Sequence, residues 1–346
     1  MEEKKPSENI EQKREIILNN FKITSKDKLN HKCLINIYYK NKKNMKTTRK
    51  FIFFLIVFNS LIFIFSDMED TINSNYSYIT LKVKGTGRKF IYGSFEFCRI
   101  TYYEHFQAFF PDEVYLNGEK VPDKSCRVQL NQTDNIVKLV WKTNNINSTQ
   151  CLFYNCPDIT EIDLSNFDSS KVAKMDNMFF ECSKLQSINF GNFNTSNVIQ
   201  IFSMFEGCSS LTSLNLSYFN MSKVESMDYM FYNCSSLISF DLSSFNTSKT
   251  KNFANMFQYC SALKSLDLSN FYISQGAEIT EMFNKCLHLE YINLENSNIF
   301  SNYSYINIFK ELSDKLVICF KDKNWLNFLE GFDPFINCVY DINELV

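Results

Sequence analysis

Six cysteines recur at intervals of 26 residues: Cys156, Cys182, Cys208, Cys234, Cys260 and Cys286. A period this strict, held over the second half of a chain, prescribes a repeat array in which like units stack along one axis. Other positions keep the same phase. Three residues after each cysteine stands Ile159, Leu185, Leu211, Leu237, Leu263 or Leu289. An apolar-x-apolar pair follows, as in Leu214/Leu216 and Leu266/Leu268, and then Phe167, Phe193, Phe219, Phe245 or Phe271. Met-Phe pairs at 178/179, 204/205, 230/231, 256/257 and 282/283 close the unit.

Two periods coexist in each unit. The stretch Leu263-x-x-Leu266-x-Leu268 ends in alternation and predicts a short strand with one buried face. The stretch Val224, Met227, Met230, Phe231, Cys234 carries spacings of three, three, one and three, which predicts a short amphipathic helix. Ser170, Ser196, Ser222 and Ser248 occupy the expected N-cap positions. The fold class expected is therefore an α/β solenoid: a leucine-rich repeat array of short parallel strands and short helices over residues 139–309. Residues 139–155 form a degenerate opening rung, with Trp141, Ile146 and Leu152-Phe153 in phase with Phe167, Val172 and Met178-Phe179.

Residues 67–138 lack the period and alternate apolar with polar, as in Ile79-x-Leu81-x-Val83, with a hairpin signal at Asn117-Gly118. They are expected to be a β-rich cap covering the N-terminal edge of the array. Residues 310–346 are expected to be the C-terminal cap, with a last strand in Leu316–Phe320. Residues 45–66 combine a short basic head, an apolar run from Phe51 to Phe65, and Ser66. That is the layout of a signal peptide; a signal anchor is the rival reading. Residues 1–44 are a basic tail or an extension ahead of a true start at Met45. Both readings place residues 67–346 outside the cytosol, with membrane contact only through residues 51–65 if they are uncleaved.

From residue 51 onward there are 22 Lys and Arg against 32 Asp and Glu, a balance unsuited to nucleic acid. No catalytic fingerprint, cofactor motif or zinc-type cysteine pairing stands out, so no enzyme activity, metal or cofactor is expected. Cys98/Cys126 and Cys319/Cys338 are candidate disulfides of the two caps. The six periodic cysteines, and Cys151, are expected as buried thiols, since helix width would hold successive rungs about 10 Å apart. The residue between the paired apolar positions faces away from the core. That column is Asp163, Asn189, Asn215, Asp241, Asp267 and Asn293, the candidate binding face for a protein or glycan partner at the cell exterior. Asn194, Asn220 and Asn246 are sequons at one repeat phase and are the candidate glycosylation sites.

The unit Met-Phe-x-x-Cys-Ser-Ser-Leu-x-Ser-Leu-x-Leu-Ser-x-Phe-Asn-x-Ser-Lys-Val resembles the repeats of BspA-family leucine-rich repeat surface proteins, best in residues 204–224 and 230–250. Gly276 in place of Val and Ser297 in place of Phe mark erosion of the sixth unit. The resemblance implies a secreted or surface-displayed protein used in adhesion or recognition of host or environmental macromolecules, and the sequons add the expectation of a glycoprotein. The alternatives are a ligand-sensing ectodomain held by a signal anchor, and a self-associating coat protein.

Overall fold

The computed structural model describes residues 76–93, 110–122, 125–143, 145–295, 297–299 and 307–321. The expected basic tail, signal segment and most of the C-terminal cap lie outside them.

The repeat region winds as a β-solenoid. Parallel bridges Ser148↔Lys174, Lys174↔Gln200, Gln200↔Ser226, Ser226↔Asn252 and Asn252↔Glu278 join six successive rungs at one register, 26 residues apart. The solenoid agrees with the sequence pattern, but the expected helices do not: no helix occurs among the described residues. Where a helix was expected, backbone N–H groups alternate between two destinations. Asn177, Phe179 and Glu181 donate to Phe202, Met204 and Glu206 of the next rung, at 2.7–3.0 Å. Met178, Phe180 and Cys182 donate three residues back, to Met175, Asn177 and Phe179. These are linked β-turns laid edge to edge against the next copy, with no i to i−4 ladder.

Two left-handed residues per rung enforce this path. They fall five and one residues before each cysteine: Asn177 and Glu181, Ser203 and Gly207, Tyr229 and Asn233, Asn255 and Tyr259, Glu281 and Lys285, with φ from 51° to 74°. A right-handed helix cannot pass through such residues.

The strands follow the alternation. β1 (Ser77–Lys84) pairs antiparallel with β6 (Asp134–Trp141) and with β7 (Ile159–Asp163), the strand of the first full rung. β7 then pairs in parallel with β8 (Ser187–Asn189). β3 (Glu113–Leu116) and β4 (Glu119–Lys120) extend the sheet to the order β4-β3-β6-β1-β7-β8. The cap therefore continues the solenoid sheet, and β1 occupies the edge that the first rung would otherwise leave open. β6 runs across the boundary expected at residue 138. Asn117 and Gly118, both at positive φ, make the turn between β3 and β4. β2 (Gly87–Phe90) and β5 (Arg127–Leu130) form a separate antiparallel pair.

At the other end, β9 (Ser265–Asp267), β11 (Tyr291–Leu294) and β13 (Val317–Phe320) form a parallel sheet that includes the expected last strand. β10 (Tyr272–Ile273) pairs with β12 (Asn298–Ile299) at a neighbouring corner. Between β8 and β9 the corresponding segments of two rungs follow the same course without strand pairing.

The core is a set of ladders. Phe153, Phe179, Phe205, Phe231, Phe257, Phe283 and Phe309 stack in sequence with centroids 5.3–5.8 Å apart and planes within 12°. Offset stacking adds to the burial of each ring. Trp141 packs edge-on against Phe167, which starts a second column through Phe193 and Phe219. A hydroxyl ladder stands in for main-chain bonds at one corner: Asn220 and Tyr272 N–H groups donate to Thr195 and Thr247 Oγ1, each at 2.7 Å.

Candidate functional site

The outward column of the strand face is built into turns. The Asp163 side chain accepts the Ser165 N–H at 2.9 Å, Asn189 that of Gly191, and Asn215 that of Ser217. Asp241, Asp267 and Asn293 do the same for Ser243, Ser269 and Glu295 at 2.8–3.0 Å. Each is an Asx turn that turns the chain, at the end of a strand where the rung has one. These residues share one face as the alternation requires, with one oxygen of each engaged locally. Asn189 Nδ2 also donates to Asp163 Oδ1 across the rung.

The sequon column uses the same device. Oδ1 of Asn194, Asn220 and Asn246 accepts the N–H of Ser196, Ser222 and Ser248 at 2.9–3.1 Å. All three asparagines are exposed, and this geometry leaves Nδ2, the atom that would carry a glycan, outside the turn.

The periodic cysteines are fully buried thiols. Their isolation has a different cause from the expected helix width, because hydrogen-bonded rungs lie only about 4.8 Å apart. Parallel stacking points the side chains the same way. Each thiol from Cys182 to Cys286 donates to the carbonyl of a core phenylalanine 29 residues earlier, at 3.0–3.2 Å. Burial pushes the Cys182 and Cys286 thiols up to about 12. Cys151 departs from the sequence expectation and is disulfide-bonded; its partner lies outside the described residues. Cys126 and Cys319 are thiols, and their candidate partners Cys98 and Cys338 also lie outside.

A cavity of about 710 Å³ opens in the cap, lined by Lys82, Lys84, Asn117, Asp134, Asn135 and Glu161 among others. Asn135 Nδ2 is held by the carbonyls of Val83, Gly85 and Gln132. Lys82 and Glu161 pair at 2.6 Å. Its polar walls are thus largely engaged with one another.

Two columns of the turn face do not repeat. The column two residues before the cysteines runs Tyr154, Phe180, Glu206, Tyr232, Gln258, Asn284. The column five before runs Cys151, Asn177, Ser203, Tyr229, Asn255, Glu281. Much of this face is covered: Asp176, Asn177, Gln258 and Asn284 are buried, and Asp176 Oδ1 and both polar side-chain atoms of Asn177 have no partner among the described residues. Burial raises the Asp176 carboxyl to about 7, against the Gln150 amide bonded to it at 2.6 Å. Burial likewise raises Glu206 to about 7, helped by Glu181 and Asp228. Sequence reasoning passed over this face. The signal was available as the positions that vary while their neighbours keep the period.

A protein-family model described as "Mycoplasma protein of unknown function, DUF285" matches residues 125–238 and 211–315, together more than half of the chain. The chain belongs to this family. No curated protein and no solved structure matches it.

Proposed function

We propose that this protein is a non-enzymatic, secreted or cell-surface solenoid that recognises a macromolecule, as in adhesion. One observation carries the reading. The columns that repeat are consumed by structure: cysteine thiols on carbonyls, phenylalanines in stacks, Asx residues in turns. Among the columns that vary, the turn face presents Tyr229, Tyr232, Asn255 and Glu281 at least partly exposed, on a rigid support with about 4.8 Å between rungs. An extended surface of this kind suits a large partner better than a small substrate. The resemblance to BspA-family repeats and the signal-like segment at residues 45–66 support export. So does the disulfide at Cys151, because such bonds persist in oxidising compartments. Binding of the labelled, purified chain to intact cells tests the proposal. Saturable binding is expected, and binding that never saturates contradicts recognition. Mass spectrometry of the native N-terminus separates a released protein, starting near Asp67, from a receptor that keeps residues 1–50.

A further inference from the structure

Three tyrosines gather on the turn face of the middle rungs. The Tyr229 and Tyr232 ring centroids lie 5.4 Å apart, as do those of Tyr232 and Tyr259. Tyr229 is 37% exposed at the surface of this group. The chain's own Lys285 ammonium sits 4.9 Å over the Tyr259 ring and 3.8 Å from the Glu311 carboxylate. This face therefore already holds one cation, between an aromatic face and a carboxylate. The rings of Tyr229 and Tyr232 carry no such cation among the described residues. Acidic side chains nevertheless stand in their columns: Glu206 one rung before Tyr232, and Glu281 two rungs beyond Tyr229. Burial, and then Glu206, Asp228 and Glu281, push up the Tyr229 hydroxyl. Glu281 is held in place by the Gln258 amide at 2.6 Å.

We propose that Tyr229 and Tyr232, framed by Glu206 and Glu281, receive a lysine or arginine side chain from a basic segment of a partner protein. This rests on the recognition reading above and names the chemistry of its partner. The argument is charge complementarity: the site offers ring faces and carboxylates, and its neighbour Tyr259 shows the same combination filled by an ammonium. A neutral sugar would stack on the rings and donate hydroxyl hydrogen bonds to the carboxylates but would bring no charge, so salt separates the two occupants.

The test uses the full chain and fluorescein-labelled hexa-arginine, with hexa-glutamate and a neutral oligosaccharide as comparisons, followed by anisotropy. The double variant Tyr229→Asn/Tyr232→Ser removes both rings, and Asn tolerates the left-handed φ of 55° at residue 229. The single variant Glu206→Gln removes charge while keeping shape. Hexa-arginine is expected to bind the wild type at low salt. Its affinity should fall about tenfold in the double variant, several-fold in Glu206→Gln, and steeply with added salt. Unchanged affinity in both variants overturns the site, as does equal binding of hexa-glutamate or salt-independent binding of the sugar through the same rings. Cell binding is measured in parallel. If cells bind wild type and double variant alike while hexa-arginine affinity is unchanged, this site falls and recognition stands. If the wild type binds no cells, recognition falls, and the hexa-arginine series still decides whether the site exists.

Discussion

Replacing Asp176 by Asn isolates the cost of a carboxylate that the solenoid buries. Asp176 is fully buried; Gln150 donates to Oδ2, the Phe202 N–H also favours the charged carboxyl, and Oδ1 has no partner among the described residues. Its carboxyl is raised from 3.8 to about 7, chiefly by burial. The sign follows from linkage. Below about pH 4 both folded and unfolded chains hold the proton. Between about 4 and about 7 the folded chain keeps it while the unfolded chain releases it, so stability falls as pH rises. About three units at about 1.4 kcal/mol each make the full loss roughly 4 kcal/mol, with roughly 3 of it between pH 5 and pH 8. Asn keeps the shape and the bond from Gln150 but leaves one amide N–H unpaired, which costs about 1–3 kcal/mol. The variant is expected to match or fall below wild type at pH 5 and to exceed it at pH 8. Urea unfolding at a series of pH values, followed by fluorescence of the buried Trp141, measures this. Glu206 titrates in the same direction in both proteins, so the difference between the two curves belongs to Asp176. Parallel pH profiles would refute the reasoning.

Other outcomes follow from the ladders. Phe231 stacks at 5.5 Å on Phe205 and 5.6 Å on Phe257, so Phe231→Ala should cost about 3–5 kcal/mol in urea unfolding; a loss under about 1 would break the case for a continuous aromatic column. Gly191 holds φ 53°, and a Cβ there would stand 2.6 Å from Ser165 Cα. Gly191→Ala should therefore destabilise by more than about 1 kcal/mol, read from the unfolding midpoint. The six periodic thiols should resist iodoacetamide in the native protein and all react in strong denaturant, as counted by mass spectrometry; native labelling of Cys208 or Cys234 would contradict their burial.

The period, the inward columns and the cap's alternation were all legible in the sequence, because burial alone dictates them. The helices were misread for a physical reason. Linked β-turns bring every third or fourth residue inward, so Val224, Met227, Met230, Phe231 and Cys234 satisfy a helical stripe and a turn ladder equally well. The discriminating signal lay at two other positions of the repeat. Asn155, Gly207 and Asn233 fall one before a cysteine, and Asn177, Asn255 and Asn307 fall at the other left-handed position. Asn and Gly are the residues that take a left-handed φ at least cost. The outward Asp/Asn column was legible as a face but not as a set of turns. Its partner is the backbone N–H two residues on, as in Asp241-x-Ser243, a local bond that leaves no trace in hydrophobic periodicity. The tyrosine group on the turn face spans two rungs, so a reading confined to one repeat unit could not assemble it.

The measurement that bears most directly on the proposed role is protease accessibility on intact cells. Mild trypsin is added outside, and the array is followed with antibodies raised against the solenoid. Exposed lysines on the array, among them Lys223 and Lys251, offer cleavage sites. Loss of the array's signal while a cytosolic marker stays intact is the result expected of a surface-displayed recognition protein. Release into the medium would be found by the same antibodies. An array protected until the cells are lysed, and absent from the medium, would contradict the account.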